Sequence, residues 1–432
     1  MFCAIAWASR QILFCSNYLT PFFTLERFTG LIGVVFILGI AFLLSNNKKA
    51  INYRLVISGL ILQLVIAVSV LKIPPITKFF QILGHGMEKI EGFAREGAKF
   101  VLGNILPNPP ELGKYLGPAN SFIFAFNIPA TIILVCVLVA ILYHVGIMQR
   151  IVSVIAKGVY FIMRASGSET LSNVASAFVG QVEAQVMIQP YLAGMTRSEL
   201  LASMSGSMAC VAGGILIVYV NMGVPAEYLI AASLMAAPAS LVISKIIYPE
   251  TEESQTKGAV SVEIKSPYTN LIDAISHGAS DGMKISINVI AMLVGFIALI
   301  AVVNALLGLI HPEFSLNLIF GYLFYPLAWV MGVPTADVQQ VAILMGKKLT
   351  INEFVAYSNL IEVKQQMSPK ALAIASFALC GFANFSSVGI QIGGIGELAP
   401  SRRKDLAELG IKALVCGTLA SYLSATLAGI LI

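Results

Sequence analysis

Eight uninterrupted apolar runs divide this chain, at 29–45, 55–73, 121–145, 198–220, 225–246, 286–310, 371–393 and 408–432. A spanning helix needs roughly 20 apolar residues, and in lipid it must satisfy every backbone polar group within itself. Of 432 residues, 57% are hydrophobic and 11% charged, whereas soluble domains carry about a quarter charged residues. The expected fold is all-α and polytopic, with eight transmembrane helices.

Other chemistries find little support. The cysteines Cys3, Cys15, Cys136, Cys210, Cys380 and Cys416 stand singly, mostly inside apolar runs, and form neither a disulfide framework nor a metal knuckle. His85, His144, His277 and His311 are equally isolated, which argues against a metalloenzyme. A net charge of +5 spread over loops gives no basis for nucleic-acid binding. Lys48, Lys49 and Arg54, then Arg150, Lys157 and Arg164, then Arg402, Arg403 and Lys404 lie in three loops. The positive-inside tendency puts these loops in the cytoplasm and both termini outside it. The segment ITKFFQILGHGMEKIEGFAREGAKFVLG, 76–103, is basic, acidic and apolar by turns and reads as an amphipathic helix lying at the interface. Residues 1–25 lack the pattern of a signal peptide and read as an N-terminal extension from an upstream start or as a short interfacial segment.

Two regions carry polar residues where plain spans do not. One is 168–197, with GQVE at its centre; the other is about 337–367, with INEF at its centre. Their apolar arms are too short to cross a bilayer, so each reads as a re-entrant helical hairpin with its tip at mid-membrane. After each comes a span interrupted by small residues, MSGSMACVAGGILIVYV and FALCGFANFSSVGIQIGG, and then a plain span. That order, found twice, is the pattern of an inverted repeat with substrate bound at the midplane.

Glu183 and Glu353 are the costliest residues in such a fold, at roughly 2.5–3.5 kcal/mol each at the bilayer centre on insertion scales. Either they face a hydrated cavity and accept hydrogen bonds from a donor-rich substrate, or they are structural ion pairs, for instance with Lys347 or Lys348. Gln181 offers donors and an acceptor together, as reading a nucleobase edge requires. Asn384, Ser386 and Ser387 lie where glycine and serine allow a helix to open, and Phe382 is suited to stack on a planar ring. Small polar residues in a membrane helix also serve close helix packing, which remains the alternative for them.

The stretch GKKLTINEFVAY, 346–357, resembles the signature of the concentrative nucleoside transporter family: Gly or Ala, one residue, Lys, three residues, then Asn-Glu-Phe-Val-Ala and an aromatic or methionine. GFANFSSVGIQIGGIG, 381–396, is similar to that family's second signature, and GQVEAQVMIQPYL to its first hairpin tip. The resemblance runs from about residue 26 to the C-terminus and points to the bacterial nucleoside permeases. It implies a homotrimer in the cytoplasmic membrane, in contact with lipid, that takes up nucleosides on a cation gradient by an elevator-like movement and needs no cofactor. It implies that Gly180, Gln181, Val182 and Glu183 meet the base from the first hairpin, with Ile215 and Phe382 lining the base pocket. Glu353, Asn384 and Ser387 then hold the ribose hydroxyls. The expected division is an extension at 1–25, scaffold and interfacial helices at 26–145, a first repeat at 146–246, a cytoplasmic linker and interfacial segment at 247–285, a scaffold helix at 286–310 and a second repeat at 311–432.

The sequence departs from the sodium-coupled members at the coupling positions, which are Ser176, Val179 and Cys210. Those members have asparagine where Ser176 stands and a hydroxyl residue where Cys210 stands. Sodium is a hard cation that wants oxygen ligands, so the sodium site here is degraded. Proton-coupled members share the serine, which favours a proton, carried by Glu183 or Glu353, with sodium still open. Val182 removes a hydroxyl common at that position and Gln185 replaces a common proline, changes that bear on base preference and hairpin geometry. The rivals are the same architecture carrying a nucleobase or other polar solute, and an intramembrane enzyme using Glu183 and Glu353, for which no nucleophile or metal set is evident.

Overall fold

The computed structural model describes residues 25–116, 123–256 and 268–432, and its secondary structure there is helical, with no strand among the described residues. The first three helices are α1 (Leu25–Leu43), α2 (Tyr53–Lys72) and α3 (Pro74–Leu102). Short α4 (Pro109–Leu116) leads to α5 (Phe124–His144) and α6 (Ile147–Met163). Next come α7 (Gly167–Ser176), α8 (Glu183–Val186), α9 (Gln189–Leu192), α10 (Arg197–Ala209), α11 (Gly213–Asn221) and α12 (Ala226–Ile247). The second half holds α13 (Leu271–Ile310), α14 (Leu316–Val330), α15 (Val338–Thr350), α16 (Glu353–Val363), α17 (Pro369–Leu379), α18 (Phe385–Leu398) and α19 (Arg403–Leu431).

Side chains at the entrances fix these boundaries. Asn52, Thr196, Asn270, Ser315, Asn352, Ser368 and Asn384 each accept a main-chain N–H of the first helical turn, satisfying donors that a helix leaves open. Ser166 and Thr196 belong to capping boxes closed by Glu169 and Glu199.

Burial separates an inner from an outer set. The apolar window of α12 is 94% buried and that of α13 is 0% buried, so α12 lies at the centre and α13 on the rim. Helices α10 and α19 pack on each other and on α12, whereas α13 runs along α5. Two helical hairpins join the inner set: α7 with α8 and α9, and α15 with α16, where Lys347 Nζ donates to Asn359 Oδ1 across the arms at 2.6 Å. Each hairpin is followed by a helix in two pieces and then by an unbroken one.

The sequence pattern suggests a linker and interfacial segment at 247–285 and a separate span beginning at 286. Instead α13 runs unbroken for 40 residues from Leu271, about 60 Å at 1.5 Å per residue. Its first turns carry Asp273, His277, Asp281 and Lys284, with Lys284 Nζ 3.2 Å from Asp281. These i,i+3 and i,i+4 charges are compatible with helix but hide it from a search for apolar length. Residues 1–24 and most of the charged linker, 257–267, lie outside the described residues.

At the base of the first hairpin, Lys245 Nζ sits 2.7 Å from Glu169 Oε2, with side-chain exposures of 5% and 2%, and also reaches Ser198 Oγ at 2.9 Å. A buried pair adds little net stability against apolar packing, but removing one partner costs about 3–5 kcal/mol because a charge is left alone.

Candidate functional site

The two broken helices meet at their breaks. Residues 210–212 separate α10 from α11 and residues 380–384 separate α17 from α18. The Phe382 N–H donates to the Cys210 carbonyl at 3.2 Å. Gly381 has φ +137, and a Cβ placed on it would stand 2.7 Å from the Ala209 carbonyl oxygen; only glycine admits this approach. The tip of the first hairpin joins them, its Phe178 carbonyl accepting the Gly213 N–H at 3.2 Å. Helix ends at such breaks carry main-chain donors and acceptors that have no partner within their own helix, and here some of them bond across the junction.

Glu353 opens α16 and is buried at 7% exposure. Tyr219 donates its phenol to Oε1 at 3.0 Å and Asn384 donates Nδ2 to Oε2 at 3.1 Å. Asn384 is the N-cap of α18, where its Oδ1 accepts the Ser387 N–H at 2.9 Å and the Ser386 hydroxyl at 2.7 Å. The ion pair offered as an alternative for Glu353 is not formed. Lys348 Nζ donates to the Ala378 carbonyl at 2.8 Å and lies over the Tyr422 ring, while Lys347 turns to Asn359. Hydrogen bonds to a charged group contribute about 1.5–3 kcal/mol each, which offsets part of the cost of burying this carboxylate.

Glu183 opens α8 and is exposed to a cavity of about 360 Å3, within the ~300–1,000 Å3 range of small-molecule sites. Gly180, Val179 and Ile215 line the same cavity, and Cys136 of α5 and Asp281 of α13 form its far wall. A Cβ on Gly180 would fall 1.9 Å from Glu183 Oε2, so the carboxylate lies directly over the glycine. Ile215 and Tyr219 are four residues apart on α11 and share a face, which sets the Glu353 cluster one helical turn from this cavity. Phe382 is half-buried beside the break. Gln181 accepts from Gln391 Nε2 of α18 at 3.4 Å, and Val182 packs over Gly394 one turn further on. Val179, Gly180, Glu183 and Ile215 thus share one cavity, Glu353, Asn384 and Ser387 form a buried cluster, and Gln181 and Val182 reach α18.

Ser176 and Cys210 are both buried. The Ser176 hydroxyl is 2.8 Å from the Ser172 carbonyl and 2.9 Å from Ser207 Oγ. Gln185 completes this polar seam: its nitrogen donates to Ser172 Oγ at 3.0 Å and Ser207 Oγ at 2.8 Å, and its oxygen accepts from Ser203 at 2.6 Å. The position noted only for its missing proline therefore ties the hairpin to α10.

Sequence reasoning passed over Tyr219, Gln391, Cys136 and Asp281. The signals were present for two of them: a single phenol in ILIVYVN and a single amide in GIQIGG. Cys136 and Asp281 gave no signal, because nothing in their local sequence reveals which cavity they border.

Residues 32–105 and 228–429 match the family models for the N- and C-terminal parts of a Na+ dependent nucleoside transporter, and residues 125–226 match one described as nucleoside recognition. The Bacillus subtilis uncharacterized transporter YutK is 44% identical over 93% of this chain and 99% of its own length. The Helicobacter pylori nucleoside permease NupC is 38% identical over 93% of this chain and 97% of its own. The solved structure of CNTnw in an inward-facing substrate-bound state superposes with a TM-score of 0.88 at 39% identity, covering 94% of this chain and 98% of that one.

Proposed function

The chain belongs to the concentrative nucleoside transporter family, and on that premise we propose that it imports nucleosides across a bacterial cytoplasmic membrane by cation symport. The observation that carries the proposal is Glu353, held by Tyr219 and Asn384 one helical turn from the cavity that Glu183 faces. Two carboxylates and an amide beside open helix ends suit a ligand with several hydroxyl donors at one end and a mixed polar edge at the other. Gly180, Gln181, Val182 and Glu183, with Ile215 and Phe382, surround the base; Glu353, Asn384 and Ser387 accept and donate to the ribose. Eight spans with two re-entrant hairpins in an inverted repeat, both termini outside, carry this site. The inner helices move against α5 and α13 as an elevator within a homotrimer.

The coupling ion is a proton in this reading. Ser176 spends its hydroxyl on Ser172 and Ser207, and Cys210 offers sulfur where sodium wants oxygen. Glu183 or Glu353 carries the proton. The test is uptake of labelled uridine, adenosine and guanosine into proteoliposomes under separate proton and sodium gradients, with Glu353→Gln as control. Uptake that follows the proton gradient and is lost in the variant is the expected result. Uptake that needs sodium and ignores the proton gradient overturns the coupling, and strong competition by uracil without uridine uptake overturns the substrate.

A further inference from the structure

Gln391 lies fully buried on α18, among glycine and isoleucine. Its side-chain nitrogen donates to the Met204 main-chain carbonyl of α10 at 3.1 Å and to Gln181 Oε1 at 3.4 Å. A main-chain carbonyl only accepts, so it fixes which end of the Gln391 amide faces α10. The opposite orientation would press two carbonyl oxygens together. As a result Gln391 Oε1 is buried without a hydrogen-bond partner among the described residues, a penalty that leucine or methionine in its place would avoid. Because Gln391 offers only N–H groups to the hairpin, Gln181 must answer with its oxygen. The NH2 of Gln181 then has no partner among the described residues and remains available to a ligand.

We infer that the Met204 carbonyl, Gln391 and Gln181 form a polarity relay that makes the hairpin tip a donor at this point. It selects nucleosides whose base carries a carbonyl at the pyrimidine 4-position or purine 6-position over those carrying an amino group there. Gln391 is a positioning residue in this scheme, acting through Gln181. The inference rests on the reading above, in which Gln181 meets the base.

The experiment measures Vmax/KM for uridine and cytidine with the full chain in the same proteoliposomes, so that the amount of folded transporter cancels in the ratio. The unaltered chain is expected to favour uridine by about tenfold, the scale of one well-made hydrogen bond against an unmatched pair. Gln391→Met keeps the volume and removes the donor; Gln181 is then free to turn, and the ratio collapses to within about twofold. Gln391→Glu has at most one proton, which the Met204 carbonyl claims. It presents only an acceptor to Gln181, whose oxygen turns outward, and the preference passes to cytidine. Gln181→Glu, at the partly exposed end of the relay, does not depend on repacking the core and shifts the ratio in the same direction. A purely structural Gln391 lowers both substrates in proportion. No nucleoside uptake by the unaltered chain overturns the transport reading and the relay together. Uptake without a uridine preference, or with a ratio unmoved in the three variants, overturns the relay alone.

Discussion

Glu353 is gripped at both oxygens, by a phenol from α11 and an amide from the cap of α18. A carboxylate has about four lone-pair sites, so two remain for a ligand, and the grip decides where they point. Tyr219→Phe keeps the ring contact with Tyr357, whose centroid is 4.4 Å away, and removes only the hydroxyl. The expected outcome is a KM for nucleoside raised about five- to tenfold together with a stability loss of about 1.5–3 kcal/mol from the unmatched carboxylate oxygen, read from uptake and a thermal scan of the same preparation. Gly180 supplies a different kind of control. Its hypothetical Cβ meets only the far end of a flexible side chain, the Glu183 carboxylate. Gly180→Ala is therefore expected to change stability by less than about 1 kcal/mol while moving the carboxylate and cutting uptake several-fold. Loss of fold instead would mean that the glycine serves the hairpin backbone rather than the site.

At the scale of elements, the breaks of the two interrupted helices were legible because small residues cluster there, GGI after Cys210 and GFAN after Cys380. The full length of α13 was not, since its first turns are polar enough to read as linker. The role of Gln185 was also hidden. An amide in a hairpin reads as a ligand group or a departure from pattern, and only the packing of α8 on α10 reveals the three serine hydroxyls that saturate it. Gln185→Leu fills similar volume but takes one partner from each of Ser172, Ser203 and Ser207, leaving them the Ser172–Ser203 and Ser176–Ser207 contacts alone. It is expected to destabilise the fold by about 2–4 kcal/mol, measured as a lowered melting temperature in detergent. An unchanged melting temperature would show that the seam is not what holds the hairpin.

For the whole molecule, the candidate site residues were legible as residue types around two polar centres, but not their division into a cavity and a buried cluster. That division depends on which helices border which space, and sequence spacing carries no such information between the inner and outer sets. The 360 Å3 cavity has hairpin and α11 residues on one side and α5 and α13 residues on the other, so the proposed sliding of the inner helices must change it. Cys136 of α5 borders the cavity and is partly exposed, whereas Cys210, Cys380 and Cys416 are buried. In a Cys3→Ser, Cys15→Ser background, a water-soluble methanethiosulfonate is expected to label Cys136 and block uptake. Saturating nucleoside should slow that labelling by about tenfold, the mass-action effect of ligand at roughly ten times its Kd. Labelling that leaves uptake intact would take the cavity off the transport path, and labelling that blocks uptake without substrate protection would keep it on the path but place the nucleoside elsewhere.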